Sequence, residues 1–444
     1  MKIIRKCYSF VFLIFSILFL FYVIKKSKIF FDISRIEIYY PYIILSLLLL
    51  VISIFSFFLN KNKKDYLIII SISVVTSLYL FEAYLGTLSR DQEHKKRVEL
   101  INKSGKRFDT RRPFEIFNDL KKTNKDISYT VAPIYFSNNK FELFPLSGVS
   151  KKDTILCNEN GYYAIFKSDR YGFNNPDQEW DEEKIEYLIL GDSFAIGACV
   201  NRPYDIGSLL RSMSNKSVLN LAYNGSGPLL QYIALREYMY KKVKKVIWLY
   251  YEGNDLSNLD FELNEKRLQK YLTDLNYSQN LKKKQKKIDE ISNNVILNQI
   301  KKIEDNRQLK NKNYFHELIY FLKLTKFRAM FGIKRPREIQ PEFEKIISLA
   351  KELIQKNDAE LYFVYLTSYN RYKIHYDRKN SSDTTRLGIK KIIDNLNIPF
   401  IDLHTDLFEK EENPLNLFPM GLSGHYNKSG YDKISRIIFK ASNK

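Results

Sequence analysis

The chain opens on three apolar runs, at residues 8–24, 39–59 and 67–88, broken only by Glu82 in the third. The hydrocarbon core of a bilayer takes about 20 residues of helix, so each run reads as a membrane-spanning helix within a membrane region over 1–89. Residues 90–127 turn polar and charged, the pattern of a stalk. Short extended aromatic runs at 129–136 and 162–166 predict a small β-rich lead-in that completes the stretch 90–184. From 185 onward, short apolar segments alternate with amphipathic ones. Strands are expected at 186–190, 218–221, 246–251, 361–366 and 400–403. Helices are expected at 203–213, 229–242, 341–355 and 384–396, and after Asn427. Such alternation predicts an α/β domain over 185–444, a parallel sheet flanked by helices.

An insertion breaks the alternation at about residues 258–340. Ile288, Ile291, Val295 and Ile296 recur at helical spacing, as do Phe315, Leu318, Ile319, Leu322 and Phe327. This predicts a helical subdomain packed on the core. A basic amphipathic element touching the membrane or covering the site is the alternative, because the insertion holds 19 Lys and Arg against 10 Asp and Glu.

Lys2, Arg5 and Lys6 precede the first run, as in a signal peptide. The flank that follows is Lys25-Lys26-Ser27-Lys28 rather than a small-residue cleavage site, which favours a retained helix. Loop charges, Arg35 and Lys61 among them, do not orient the spans. Parity does: three spans starting inside, or a cleaved signal and two spans, both place the rest outside the cytoplasm. The formal net charge is +21, yet no helix-turn-helix, zinc or RNA-binding signature accompanies it. The basic surface suits anionic lipid head groups or acidic polysaccharide instead; nucleic acid is not an expected partner. Of the three cysteines, Cys7 borders the first run. Cys157 and Cys199 lie in the soluble part, where a disulfide and two buried free thiols both remain open.

Candidate chemistry sits where strands end. In open parallel sheets, ligands bind beyond the C-terminal strand ends. Ser193, Gly225 and Asn254 each fall just after an expected strand. Ser193 is the candidate nucleophile, and a serine hydroxyl needs a base to take its proton. His425, in a Gly-rich loop before the last helix, is that base. His94 lies in the charged stalk, His316 and His375 in or beside basic helical segments, and His404 after the last strand. Gly225 offers a backbone N–H free of side-chain hindrance, and Asn254 a neutral amide donor. Together with the backbone of Ser193 they form a candidate oxyanion hole. No metal or cofactor is called for.

Four blocks carry this kit in order: Gly191-Asp192-Ser193, Asn220 to Gly225, Gly253-Asn254-Asp255 and Gly424-His425-Tyr426-Asn427. In these blocks the chain resembles the SGNH hydrolases, also called GDSL-type lipases and esterases, over about residues 185–440 with the insertion unmatched. The resemblance implies a flavodoxin-like parallel sheet and cleavage or transfer of an acyl group through an acyl-serine. The family usually places an aspartate three residues before the histidine, and here Leu422 stands there. Asp402, Asp406 or a backbone carbonyl is left to orient His425, or the site is a Ser193–His425 dyad. With the apolar runs, the resemblance implies a membrane-anchored esterase or O-acyltransferase acting on acyl esters, acetyl above all, of cell-envelope polysaccharide. Its partners are that substrate, the lipid bilayer and, for transfer, a membrane protein that donates the acyl group. The alternative is a non-catalytic glycan-binding assembly protein with a degenerate site.

Overall fold

The computed structural model describes residues 2–27, 36–88, 91–105, 107–137, 141–239, 242–309, 314–330, 337–373 and 376–443. Lys28, Arg35 and His375 lie outside these residues, as do the side chains of Phe315 and His316. The chain divides into two compact units. One holds residues 1–90 and 313–335, the other 91–312 and 336–444.

In the first unit the three apolar runs form helices Lys2–Ser27, Ile36–Phe55 and Lys61–Leu88. Two stretches, Cys7–Ser27 and Lys61–Thr87, are long and apolar enough to cross a membrane. The middle run, expected to reach residue 59, is helical only to Phe55, so its apolar helix Tyr39–Phe55 is shorter. The insertion is split between the units. Its second half, helices Tyr314–Leu322 and Thr325–Met330, belongs to the apolar unit. There the Tyr79 hydroxyl donates to the Leu322 carbonyl. The Glu82 carboxylate accepts from the backbone N–H of Lys326 and Phe327, at 2.9 and 2.7 Å. Glu82 therefore satisfies open donors at the start of a helix, which explains a charge inside an apolar run.

The second unit is an α/β fold. Among the described residues eight strands run in chain order: β1 (Ile127–Tyr129), β2 (Asp153–Ile155), β3 (Ile165–Lys167), β4 (Lys184–Leu190), β5 (Val218–Asn220), β6 (Lys242–Tyr251), β7 (Glu360–Leu366) and β8 (Phe400–Asp402). The main sheet has the order β5-β4-β6-β7-β8, with every neighbouring pair parallel. Successive residues point to opposite faces. In β6, Val246, Trp248 and Tyr250 enter one apolar cluster, and Ile247 and Leu249 the other. The first face is covered by helices Pro228–Tyr238, Pro341–Gln355 and Tyr376–Asn395 through Leu229, Ile233, Phe343, Ile347, Ile389 and Ile393. The second is covered by Ile206–Ser214 and Lys428–Ser442 through Leu210, Ile434 and Ile438. Burial on both faces is why these strands read as apolar runs rather than as alternating patterns.

Several expectations shift. The helix expected from Pro203 starts at Ile206, where the Asp205 carboxylate accepts from Ser208 N–H. β6 begins at Lys242, inside the stretch expected to end a helix. The aromatic run at 129–136 is not one strand: it ends β1 and then forms a 3-10 turn, Pro133–Phe136. The expected stalk folds onto the α/β unit as helices Asp91–Lys103 and Pro113–Thr123, the second burying Phe114, Ile116 and Phe117. The first half of the insertion also packs on this core, through Leu268, Tyr271, Ile288, Ile291 and Val295. A small sheet, β1 parallel to β2 and β2 antiparallel to β3, supplies the lead-in.

Candidate active site

β4 ends at Leu190, and the chain turns through Gly191 into the short helix Ser193–Ile196. Asp192 caps that helix, its Oδ1 accepting from Phe194 N–H at 2.8 Å. The turn leaves Ser193 at the C-terminal edge of the sheet, 6% exposed. On the side of β5, the Leu221 N–H donates to the Ile189 carbonyl and the Tyr223 N–H to that of Gly191. These bonds hold the loop of Gly225 beside the nucleophile turn. Gly225 has φ +75, and a Cβ there would lie 3.3 Å from Pro133 Cδ. The left-handed backbone and the close neighbour both favour glycine.

On the side of β6, Asn254 stands at the N-cap position of the helix Asp255–Glu262 beyond the strand end, its side chain making no capping hydrogen bond. The preceding Glu252 carboxylate accepts from Ser368 N–H, the Tyr365 hydroxyl and Arg371, which ties this loop to the end of β7. Burial raises the Asp192 carboxyl above its usual range, against the Phe194 N–H, the charge of His425 and the Asn254 amide. An amide carries two N–H donors. Asn254 brings both to this strand end.

His425 arrives from the far end of the chain. Asn427 fixes its loop, accepting from Gly430 N–H and donating to the Asn416 and Phe418 carbonyls. The imidazole lies against the Phe194 ring, centroids 4.5 Å apart. Its Nε2 is 2.9 Å from Ser193 Oγ. Its Nδ1 is 3.0 Å from Glu159 Oε1, and its backbone N–H donates to Glu159 Oε2 at 2.7 Å. A Cβ on Gly424 would lie 2.5 Å from Glu159 Oε2, so a glycine there makes room for the carboxylate. Ser193, His425 and Glu159 thus form a continuous hydrogen-bonded relay.

Glu159 takes the place that Leu422 leaves empty. Leu422 is buried and apolar. Asp402 does not reach His425: it accepts from His404 N–H and pairs with Arg386. Among the described contacts, none joins Asp406 to His425. His404, the rival base, is buried, with Nδ1 3.0 Å from the Tyr372 hydroxyl and Nε2 3.2 Å from Glu409. Burial and the charge of Arg371 hold it below the ordinary imidazole value. His94 is exposed and stacks edge-on with Phe108.

Glu159 escaped sequence reasoning because it comes from the small sheet, in the loop between β2 and β3, 34 residues before the serine. The loop is heavily tied. Asn158 donates to the Asp109 carbonyl and Asn160 to that of Cys199. Arg97 Nη1 donates to the Glu159 carbonyl at 2.9 Å, and Nη2 to that of Ser423. Cys157 is bonded to Cys199. The one available signal was a cysteine two residues from an acid, paired with a cysteine six residues after the serine.

Charge follows the geometry. Burial pushes the Glu159 carboxyl up, but the charge and hydrogen bonds of His425, with Arg97 behind, hold it below its ordinary value. Burial likewise disfavours imidazolium, yet Glu159 and, further off, Asp192 leave His425 above its ordinary value. An ionised carboxylate only accepts, so the Nδ1 proton faces Glu159 and Nε2 is free to accept from Ser193. Cys157, Cys199 and His425 also bring metal-ligand atom types within 4.8 Å of one another. With the sulfurs bonded to each other, no thiolate is offered to a metal.

No protein-family model matches the chain, and no curated protein matches it. Among solved structures, the chain is similar to an acetyl xylan esterase, at 13% identity and a TM-score of 0.33, over 58% of this chain and 99% of that one. It is similar to the lipase/acylhydrolase from Enterococcus faecalis, at 11% and 0.31, over 58% and 94%. It is also similar to a carbohydrate esterase family 2 enzyme with a carbohydrate-binding domain from Corynascus thermopiles (Myceliophthora fergusii), at 12% and 0.31, over 63% and 70%. Likenesses this distant leave the fold resting on its own strand order and the site on its own distances.

Proposed function

We propose that this chain is a membrane-anchored serine esterase that cleaves acyl esters outside the cytoplasm. The observation that carries the proposal is the relay from Ser193 Oγ through His425 to Glu159, with links of 2.9 and 3.0 Å. His425 takes the Ser193 proton as Oγ attacks the ester carbonyl. The oxyanion is held by the N–H groups of Ser193 and Gly225 and by the Asn254 amide. Such donors act on charge that exists only in the transition state, each contributing about 3–4 kcal/mol. The imidazolium, stabilised by Glu159, then protonates the leaving alcohol. Water, activated by the same histidine, releases the acyl group from Ser193; a sugar hydroxyl in its place makes the reaction a transfer.

The apolar helices support an anchor. The Cys157–Cys199 bond supports an oxidising compartment. Acyl esters of envelope polysaccharide, acetyl first, are the substrates that fit both. The non-catalytic alternative rested on the missing acid at Leu422, and Glu159 supplies an acid in its place.

The test is hydrolysis of a short-chain aryl ester by the detergent-purified protein, wild type against Ser193→Ala. Loss of about 10⁴-fold or more is expected for removal of the nucleophile. Equal rates would sink the proposal. A fluorophosphonate probe should label Ser193 in the wild type and lose that label in His425→Ala.

A further inference from the structure

The Cys157–Cys199 bond spans the site itself. Cys157 begins the loop that carries Glu159, and Cys199 closes the loop that follows Ser193. Cys199 Sγ lies 3.6 Å from His425 Nδ1, the nitrogen that faces Glu159. Cys199 also has φ +63, a left-handed backbone that non-glycine residues rarely adopt. Its carbonyl is tied to Asn160, next to Glu159. Two segments distant in the chain are therefore clamped together beside one ring nitrogen, with a disfavoured backbone held in place by the clamp.

We propose that the Cys157–Cys199 disulfide is the positioning device for Glu159, so that the relay is complete when the bond is formed and uncoupled when it is reduced. This rests on the esterase proposal above. Reduction by a dithiol balances simply: the S–S bond takes up two electrons and two protons to give two cysteine thiols, and the dithiol closes to its own cyclic disulfide. Cys199 is then free to leave its left-handed conformation and take the Asn160 contact with it. Its thiol, beside Nδ1, competes with Glu159 for the ring. Arg97 and Asn158 still hold the loop, so the fold persists while the carboxylate shifts. A misplacement of about 1 Å in a catalytic array costs about a hundredfold.

The charged groups around the ring are Glu159, Asp192 and, behind Glu159, Arg97. The Tyr251 and Tyr431 phenols are pushed well up by burial and stay neutral. A shift in the titration of His425 on reduction therefore reports on Glu159.

The experiment measures aryl ester hydrolysis against pH for the full chain in detergent, before and after dithiol treatment, with thiol counting to verify reduction. It is repeated in Glu159→Gln and in Cys157→Ser/Cys199→Ser. Reduction should lower the wild-type rate about tenfold to a hundredfold and move the acid limb to lower pH, and reoxidation should restore both. The serine pair should resemble the reduced wild type and ignore the dithiol. Glu159→Gln should lose little more on reduction. An unchanged wild-type rate, or an equal further loss in Glu159→Gln, overturns the proposal. Should Ser193→Ala be as active as wild type, the esterase proposal falls, and the clamp is judged by NMR titration of His425 in the Ser193→Ala protein. There, a lower His425 pKa after reduction supports the clamp, and an unchanged one overturns it.

Discussion

In the α/β unit Trp180, Trp248, Tyr187 and Tyr365 are fully buried. In the apolar unit the pattern inverts: Phe10, Leu18, Ile72 and Leu80 are exposed, Phe58 reaches 83%, and the buried positions include Ser16, Ser46, Ser53 and Ser56. Those hydroxyls turn back on their own helices, donating to the carbonyls of Phe12, Ile43, Leu50 and Ser53. Both patterns obey one rule, that polar groups are satisfied and apolar surface faces an apolar medium. The α/β unit fits water, and the outward apolar faces of the other unit fit hydrocarbon, the medium that the proposed membrane anchor requires. Small hydroxyl residues at helix contacts, with large apolar residues outward, are how helices associate within lipid.

The contrast can be broken by variants that should affect one unit only. The largest effect after loss of the nucleophile is expected from Glu159→Gln, about 10³–10⁴-fold in kcat with a soluble aryl ester. Its pH profile carries the sign. His425 must be neutral to act as base, so the rate rises with pH through its pKa, which Glu159 holds above the ordinary value. Removing the carboxylate charge lowers that pKa, and the acid limb should move to lower pH. An unmoved limb would show that Glu159 does not act through His425. Next comes Asn254→Ala, about 10²–10³-fold in kcat with the pH profile unchanged, because an oxyanion donor does not titrate. Smallest in rate is Glu82→Ala. It leaves two backbone donors of the helix Thr325–Met330 unsatisfied and should cost about 1–3 kcal/mol in the apolar unit, read as a lower melting temperature in detergent. Hydrolysis of the soluble ester should be unchanged; a large loss would show that the two units do not behave independently.

The sheet was legible because strands buried on both faces are marked by apolar content alone, and their ends fell where Ser193, Gly225 and Asn254 stand. The helix boundaries were less so. Asp205, not Pro203, sets the start of one helix, because a side-chain cap outweighs the preference of proline for a first turn. Glu159 was invisible for a different reason. Its role depends on a contact between segments 266 residues apart, and one acid in a short loop carries no periodicity. Hydrophobic spacing found the helices of the insertion but not which unit each joins, since a 3.6-residue period says which face is apolar and not what lies against it.

The division of the insertion has a practical consequence. The chain passes between its two units three times, at residues 90/91, 312/313 and 335/336. Cutting at the first junction alone, the obvious way to make a water-soluble α/β fragment, leaves Tyr314–Leu322 and Thr325–Met330 attached. Leu318, Leu322 and Met330 would remain on that fragment, and Phe321 and Phe327 would lose their partners Tyr79 and Phe81. A soluble version of the α/β unit needs two edits: removal of residues 1–90, and replacement of 313–335 by a short polar link.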